Sequence, residues 1–290
     1  MRYLSLLLCL FLCACGQPEP YRVRKNLSYG PLSEHTFDFY EPPYHTGLGR
    51  PLIIAIHGGA WQSGDKVWGE NIAEQLCWRG FTVASINYRL APEHVWPAQI
   101  EDCQLALQYF QQAAWMRIDN QRIAAFGHSA GGHLASMMLF RPPEEAFIPS
   151  FPLRIAISAS GESDLLRLRD QDENLNALLQ PNTPFNFTPE QLRDVSPISF
   201  IENSANTSLL LIHATGDTNV IYDHSQLLYT QLLQQGTDVQ LRTLFSDNHN
   251  RSYEDGMSTA VSFLNARGLR PSSRQTKEFW RYERQINELR

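Results

Sequence analysis

Short apolar runs of strand length recur along the chain and alternate with segments in which apolar residues repeat at helical spacing. The runs cover residues 51–56, 81–86, 123–126, 154–158, 208–213 and 239–245. Helical patterns fall between them, at residues 67–79, 97–114 and 222–235. Strands that are apolar on both faces are typical of a parallel sheet covered by helices on both sides. The pattern therefore predicts an α/β fold with a mostly parallel central sheet and helices on both faces.

Two stretches depart from this alternation. Residues 21–28 and 36–40 alternate polar with apolar side chains, which predicts an antiparallel edge to the sheet. Residues 165–195 are polar and contain three prolines, so we predict a small cap or lid insertion there. A chain of this type and length is commonly one domain, which we assign to residues 21–268. The charge-dense residues 269–290 are predicted to form a solvated C-terminal helix or tail.

The N-terminal residues predict a location. Residues 1–14 have a basic residue, an apolar segment too short to span a bilayer and then small residues, as in a signal peptide. The sequence Leu12-Cys-Ala-Cys15 resembles a bacterial lipobox, which predicts lipidation of Cys15, with residues 15–20 as a tether. By resemblance to lipoproteins of Gram-negative envelopes, Gly16 favours the outer membrane. Ordinary cleavage, with release as a soluble periplasmic or secreted protein, is the alternative.

A strand joins a helix through the motif Gly127-x-Ser129-x-Gly131. A strand that stops at a serine and turns at once into a helix crowds its backbone, and the flanking glycines remove the side chains that would clash. The turn exposes the serine Oγ beside the first N–H groups of the helix, as acyl transfer requires. The motif therefore predicts a nucleophile elbow. A glycine-rich turn with a solvated serine is the alternative.

A second glycine turn, His57-Gly-Gly-Ala-Trp61, follows the first of the apolar runs. Ester cleavage puts negative charge on the former carbonyl oxygen, and each fixed N–H donor there contributes about 3 kcal/mol. We predict that the N–H groups of Gly58, Gly59 and Ala130 form this oxyanion hole. The alternative is a tight turn in which His57 is only a core histidine.

The chain resembles the α/β-hydrolase esterases and lipases of the His-Gly-Gly type, which are related to hormone-sensitive lipase. The resemblance rests on the two glycine turns and on Asn87-Tyr-Arg-Leu-Ala-Pro-Glu-His94, Trp96-Pro-Ala-Gln-Ile-Glu-Asp-Cys103 and Ser196-Pro-Ile198. His128 replaces the aspartate usual in hormone-sensitive-lipase relatives. In this it is similar to bacterial acetyl-xylan and feruloyl esterases, short-chain carboxylesterases and kynurenine formamidases. Ala60 replaces a third glycine but retains its N–H. The resemblance implies an α/β-hydrolase fold and an esterase.

In this fold the serine is followed along the chain by an acid and then by a histidine. Asp217, in the loop after the run 208–213, stands where the resembled family has its acid. An Asx turn at Asp217, with Asp223 as the acid, is the alternative. His249 follows the last apolar run and is predicted to be the base, because His224 falls inside a predicted helix.

Other polar and sulfur side chains are assigned structural roles. Four histidines lie too early in the chain to be the base and are predicted to be structural or to pack behind the catalytic residues: His57, His128, His133 and His213. Asp164 is expected to cap the helix that follows it. The resembled fold places Cys77 and Cys103 on opposite faces of the sheet, too far apart for a disulfide, so two buried thiols are expected.

Charge and motif content exclude other classes of protein. The formal net charge is −6 and no basic patch is evident, so nucleic acid is not a predicted partner. The sequence has no His-Glu-x-x-His pair and no Cys-x-x-Cys spacing. We therefore predict no catalytic metal and no cofactor. Nothing in the sequence indicates the oligomeric state.

Together these features predict a serine carboxylesterase that cleaves a small-molecule ester through a covalent acyl-enzyme. Ser129 is the predicted nucleophile, His249 the base and Asp217 the acid that orients it. An aryl formamidase or other amidase would use the same residues. A catalytically silent binding protein with this fold is a further alternative, against which the intact set of residues argues. The acyl and alcohol groups are not predicted, because the lid and loops form the pocket walls.

Overall fold

The computed structural model describes residues 21–43, 49–143, 148–149, 151–180, 183, 185–271, 277 and 281. These ranges include every predicted strand and all the predicted catalytic and oxyanion-hole residues. The predicted signal peptide, the tether and Cys15 lie outside the described residues, as does most of the predicted tail at 269–290.

Within the described residues, eight strands form one sheet. They are β1 Arg22–Ser28, β2 Thr36–Glu41, β3 Arg50–Ile56, β4 Thr82–Ile86, β5 Ile118–His128, β6 Ile155–Ala159, β7 Ser208–Ala214 and β8 Asp238–Leu244. Their order across the sheet is β1-β2-β4-β3-β5-β6-β7-β8. β2 pairs antiparallel with both β1 and β4, and all other pairs are parallel. The predicted parallel sheet and its antiparallel edge are confirmed.

Helices connect the strands of the sheet. They are α1 Glu70–Trp78, α2 Ala98–Gln112, α3 Ala130–Phe140, α4 Leu165–Leu168, α5 Glu173–Leu178, α6 Pro189–Asp194, α7 Asp223–Gln234, α8 Arg251–Glu254 and α9 Met257–Ala266. The predicted helix 67–79 is divided. The Asp65 side chain accepts a hydrogen bond from the Val67 N–H and begins a 3₁₀ helix, Lys66–Gly69, after which α1 starts. No helix in the described ranges has the length and apolar character needed to cross a membrane.

The direction of the strands places the loops that contain the predicted site residues at one edge of the sheet. These loops follow β3, β5, β7 and β8. The parallel strands β3 to β8 end together at this edge, which we call the carboxyl edge. β1 runs in the same direction, because β2 pairs antiparallel with both its neighbours. Arg22 is therefore at the opposite edge, beside Glu41, whereas Ser28 pairs with Thr36 near the carboxyl edge.

Each face of the sheet is covered by a separate apolar cluster. Along β3, Ile54 and Ile56 join a cluster with α2, α3 and α7, whereas Ile53 joins a second cluster with α1 and α9. This alternation follows from the period-2 geometry of a strand. Cys77 in α1 and Cys103 in α2 are free, buried thiols in opposite clusters. The prediction of two buried thiols is confirmed.

The segment predicted as an insertion, residues 165–195, contains the short helices α4, α5 and α6. Asp164 accepts a hydrogen bond from the Arg167 N–H and so caps α4, as predicted. A reciprocal capping box of Thr188 and Gln191 begins α6. Short, individually capped helices replace the long helices that cover the rest of the sheet.

Candidate active site

Ser129 lies between the end of β5 and the start of α3, in the turn that the glycine motif predicts. Its φ of 57° and ψ of −126° are a costly conformation for a residue with a side chain. Backbone hydrogen bonds hold it on both sides. The Ser129 N–H donates to the Ala159 carbonyl at 2.8 Å, and the His133 N–H donates to the Ser129 carbonyl at 3.0 Å. The turn therefore holds Ser129 in the strained conformation expected of a nucleophile elbow.

Close packing of the backbone explains why the turn needs glycine. A methyl group on Gly127 would overlap the Gly131 carbonyl, and one on Gly131 would overlap the carbonyl of Ile56 at the end of β3. The obstructing atoms belong to the main chain, so they cannot rotate away. The start of α3 is thereby held directly against the end of β3.

The predicted oxyanion donors lie beside this turn. A Cβ atom on Gly58 would be 3.0 Å from the Ser129 Cβ, so the two glycine turns are in direct contact. Gly59 has a φ of +114°, which favours glycine. Within the described part of the chain, no protein acceptor binds the N–H groups of Gly58, Gly59 and Ala130. These three donors are therefore available to a developing oxyanion.

A hydrogen bond joins Asp217 to His249 across the loops that follow β7 and β8. The His249 Nδ1 lies 2.7 Å from the Asp217 Oδ2. The other carboxylate oxygen accepts the N–H groups of Asn219 at 2.9 Å and Val220 at 3.1 Å. The Asx turn that the sequence offered as an alternative is therefore present as well. One oxygen of Asp217 makes the turn and the other pairs with His249.

Charge and protonation follow from these contacts. Burial by itself raises the pKa of Asp217, but hydrogen bonds from His213 and His249 outweigh it and hold that pKa well below the ordinary carboxyl range. An ionised carboxylate only accepts hydrogen bonds, so the His249 Nδ1 carries a proton. In the neutral ring Nε2 is then unprotonated, as a general base requires. No hydrogen bond joins the Ser129 Oγ to His249 among the described contacts, although both residues line one cavity.

The alternative acid and base lie elsewhere. The His224 Nδ1 accepts a hydrogen bond from the Ser163 N–H at 3.1 Å, and its Nε2 faces the Asp172 Oδ2 at 3.7 Å. Asp223 is the exposed first residue of α7. Neither Asp223 nor His224 lines the cavity of Ser129. The structure brings His249 to that cavity instead, and Asp217 is buried and paired with its Nδ1.

His128 contacts the predicted base directly, as expected of a histidine that packs behind the catalytic residues. Its Nε2 donates to the His249 carbonyl at 3.2 Å, and the two ring centroids are 4.5 Å apart. Burial and the neighbouring His249 lower the pKa of His128 to about 3, so this ring is neutral at pH 7. The two residues are 121 positions apart. No local sequence signal could have revealed the contact.

The other early histidines have structural partners, as predicted. Each donates one ring N–H to a backbone carbonyl: His57 Nδ1 to Gly58 at 2.8 Å, His133 Nε2 to Val195 at 2.6 Å and His213 Nε2 to Val220 at 2.9 Å. Burial lowers the pKa of both His57 and His133 to about 4, which keeps these rings neutral at pH 7.

Ser129 and His249 line a cavity of about 900 Å³ at the carboxyl edge. Its polar wall is formed by Gln62, Ser63, Asp65, Asn174, Asn219 and Asn250. Trp68 and Tyr253 contribute aromatic rings 5.6 Å apart. Sequence reasoning identified none of these lining residues, because they come from separate loops and no motif links them. The described ranges contain no cluster of three or more His, Cys, Asp or Glu side chains suited to a metal ion.

A family model described as BD-FAE matches residues 37–232, more than half of the chain. The matched range includes the oxyanion turn, the elbow and Asp217, and it ends before His249. Among curated proteins, the probable isoprenylcysteine alpha-carbonyl methylesterase of Oryza sativa subsp. japonica is 26% identical over 235 residues. That alignment covers 76% of this chain and 55% of the rice protein. The chain spans about half the length of the curated relatives it matches.

Two solved structures share the architecture. A truncated carbohydrate esterase from gut microbiota aligns with a TM-score of 0.75 at 23% identity, over 89% of this chain and 98% of the other. An esterase of Thermogutta terrifontis, a Planctomycetes species, was solved with butyrate bound. It aligns with a TM-score of 0.70 at 23% identity, over 87% of this chain and 95% of the other. These likenesses show the α/β-hydrolase fold that the sequence predicts.

Proposed function

The chain belongs to the BD-FAE family and has the α/β-hydrolase fold, and from this we propose that it is a serine carboxylesterase. In this proposal it hydrolyses a small or short-chain acyl ester through an acyl-enzyme. The strongest support is that one cavity is lined both by Ser129, in a strained turn, and by His249, paired with a buried Asp217. The esterase names of the relatives agree with it.

The proposed reaction begins with attack of the Ser129 Oγ on the ester carbonyl carbon. The hydroxyl proton moves to the His249 Nε2 as the new C–O bond forms. The ionised Asp217 stabilises the resulting imidazolium through the bond at 2.7 Å. Negative charge moves to the former carbonyl oxygen, where the N–H groups of Gly58, Gly59 and Ala130 bind it.

Collapse of this intermediate breaks the ester C–O bond. The imidazolium of His249 gives its proton to the departing alcohol, and the acyl group stays on Ser129. A water molecule then attacks the acyl carbon while the His249 Nε2 accepts its proton. The same donors bind the second oxyanion. Its collapse breaks the bond between the acyl carbon and the Ser129 Oγ, His249 returns its proton to that oxygen, and the carboxylic acid leaves.

The cavity wall favours an uncharged, polar ester. Asp65 contributes the carboxylate of the wall, while no Lys or Arg is among the described residues that line it. Burial by itself raises the pKa of Asp65, but the hydrogen bond from Asn87 and further favourable contacts outweigh it, so this group is ionised at pH 7. An anionic ester therefore finds no cationic partner among the described lining residues. Amide side chains beside Trp68 and Tyr253 suit a hydroxyl-bearing group such as an acetylated sugar.

A substrate screen tests the choice of ester. Purified protein is given p-nitrophenyl esters of rising chain length, acetylated xylan and N-formylkynurenine. We expect turnover of the short-chain esters to exceed that of the long-chain esters. A strong preference for N-formylkynurenine would instead support the aryl formamidase alternative, which uses the same residues.

Covalent labelling tests the nucleophile. A fluorophosphonate probe is expected to modify Ser129, and peptide mapping locates the adduct. Ser129→Ala is expected to abolish labelling and to lower turnover by several orders of magnitude with the fold intact. An adduct at another residue, or no adduct on folded wild-type protein, would remove the nucleophile assignment and with it the proposed function.

A further inference from the structure

Side chains of the insertion bind the loop that contains Asp217. We call residues 217–221 the acid loop. The Asn174 Nδ2, on α5, donates to the Thr218 carbonyl at 2.7 Å and to the Asn219 carbonyl at 3.2 Å. Asp172, at the start of the same helix, accepts the Ile221 N–H at 3.1 Å. Hydrogen bonds from one short helix therefore reach both the middle and the end of the acid loop.

Asp172 serves the helix and the acid loop with different oxygens. Its Oδ1 accepts the Leu175 N–H at 2.9 Å and caps α5, while its Oδ2 accepts the Ile221 N–H and faces the His224 Nε2 at 3.7 Å. The residue is 1% exposed. Burial by itself raises the pKa of Asp172, but the contacts with His224 and the backbone amides outweigh it and keep the carboxylate ionised. One buried charge thus joins α5 to the acid loop.

The contacts of α5 border those that hold the catalytic carboxylate. The N–H groups of Asn219 and Val220 bind the Asp217 Oδ1. The carbonyl of Asn219 and the N–H of Ile221 belong to the same short stretch and are bound by α5. A shift of this stretch therefore moves the Asp217 carboxylate relative to His249. Misplacement by about 1 Å can cost about a hundredfold in rate.

The same helix also contributes to the cavity wall. Asn174, Ala177 and Leu178 line the cavity, whereas Leu175, 2% exposed, packs into the apolar core. An occupant of this side of the cavity contacts the helix whose side chains bind the acid loop. The insertion is therefore connected both to the cavity and to Asp217.

We propose that Asp172 and Asn174 are positioning residues that hold the acid loop in the conformation in which Asp217 reaches His249. The insertion then takes part in catalysis as well as forming part of the cavity wall. This inference rests on the proposed esterase function. Neither side chain acts on the ester carbonyl, because both act through Asp217.

Two asparagines on α5 provide a matched test. Asn174→Ala removes both hydrogen bonds from that side chain to the acid loop. Asn176→Ala makes the same change two positions along, where the side chain accepts a hydrogen bond from Gln180 and, among the described residues, makes none to the acid loop. We measure kcat and KM on p-nitrophenyl acetate and the thermal unfolding midpoint of both variants. Asn174→Ala is expected to lower kcat about tenfold with KM changed less than about threefold. Asn176→Ala is expected to leave kcat and KM close to the wild-type values.

Asp172→Asn supplies a second test, because an amide has one acceptor oxygen and cannot serve both α5 and the acid loop. Its NH₂ group faces either the Leu175 N–H or the Ile221 N–H, so one of the two hydrogen bonds that join α5 to the acid loop is lost. We expect a loss of kcat similar to that of Asn174→Ala. A variant with both substitutions is expected to show a smaller fold-reduction in kcat than the product of the two single reductions, because both changes act through one loop.

Several outcomes overturn the inference. A raised KM with unchanged kcat in Asn174→Ala would assign that residue to substrate contact alone. Equal losses in Asn174→Ala and Asn176→Ala would assign α5 a general role in stability, and this pair decides the matter even if Asp172→Asn does not fold. Failure of the proposed function gives a different result, because wild-type protein would then neither cleave the ester nor react with a fluorophosphonate.

Discussion

The elbow at residues 127–131 and the loop at residues 246–250, which contains His249, face the same cavity but are fixed in different ways. In the elbow, main-chain atoms lie so close together that no side chain fits at Gly127 or Gly131. The strained conformation of Ser129 is held by backbone hydrogen bonds to two neighbouring elements. This half of the site depends on the absence of side chains.

The loop around His249 depends on the presence of side chains. Ser252 and His128 both donate to the His249 carbonyl, at 3.0 Å and 3.2 Å. Asn248 accepts the Asn250 N–H at 2.9 Å and, on the ring itself, Asp217 pairs with Nδ1. Each of these bonds joins a side chain to the loop.

This difference separates two kinds of sensitivity to mutation. Substitution of Gly127 or Gly131 introduces overlap with main-chain atoms and is expected to act on the stability of the fold. Substitution around His249 removes one polar partner at a time and is expected to act on the rate. The comparison is tested best by a variant that lowers the rate without lowering the stability, and by one that lowers mainly the stability.

The largest effect is expected at His249. His249→Ala removes the proposed base, so kcat is expected to fall about a thousandfold or more on a short-chain p-nitrophenyl ester, with an unfolding midpoint near wild type. His224→Ala is the control, since that buried ring lies outside the cavity, and it is expected to lower stability more than rate. Retained activity in both variants would show that the loop after β8 does not contain the base.

In the elbow, a single methyl group is expected to act on the fold. Gly131→Ala is expected to lower the free energy of unfolding by about 3 kcal/mol, because the methyl group overlaps main-chain atoms at the end of β3. Gly236→Ala is the control. It also introduces a methyl group, at a φ of +75° but in open space, and is expected to cost about 1 kcal/mol. Denaturant unfolding measures both, and equal losses would contradict the steric argument.

A buried carboxyl near the acid loop predicts a pH dependence of stability. Glu162 is 6% exposed, and burial, with the nearby Asp172 and Asp217, raises its pKa from 4.5 to about 8. Between these values the folded protein keeps a proton that the unfolded chain has released. This group therefore lowers the free energy of unfolding by about 1.4 kcal/mol for each unit of rising pH.

Glu162→Gln removes this titration. Its free energy of unfolding, measured against wild type from pH 5 to pH 9, is expected to fall less steeply as the pH rises. Parallel curves for the two proteins would show that Glu162 does not retain its proton on folding.

The smallest effect concerns strain at the nucleophile. Ser129→Gly and Ser129→Ala both remove the hydroxyl, but only glycine adopts a positive φ without cost. The glycine variant is expected to be more stable than the alanine variant by about 1 kcal/mol. Equal unfolding midpoints would indicate that the turn is not strained in solution.

The elbow was accessible from the sequence because only glycine fits at residues 127 and 131. The prediction of Asp217 rested instead on the chain order of the resembled fold, and Asp217 lies three residues after the end of β7. The bounds of β5 were predicted less well. The strand runs from Ile118 to His128, but its polar first half lies partly exposed and has no apolar signal.

The contacts that hold the acid loop could not be predicted. Asn174 reaches carbonyl groups 44 and 45 positions away through an irregular segment. Neither hydrophobic period nor a motif links such residues, because their proximity is created only when the insertion packs on the sheet. His128 and His249 illustrate the same limit, since their contact depends on the order of the strands.

The direction of β1 determines whether the cavity faces toward or away from a surface to which the domain is attached by its first residues. Arg22 is at the edge of the sheet opposite the cavity, and so is the end of α9, where Arg267 pairs with Asp238 at the start of β8. A resin, a surface or a fusion partner joined before Tyr21 or after residue 271 is therefore expected to leave the cavity open to bulk solvent. For immobilisation, both ends of the domain offer attachment points that leave the path of the substrate clear.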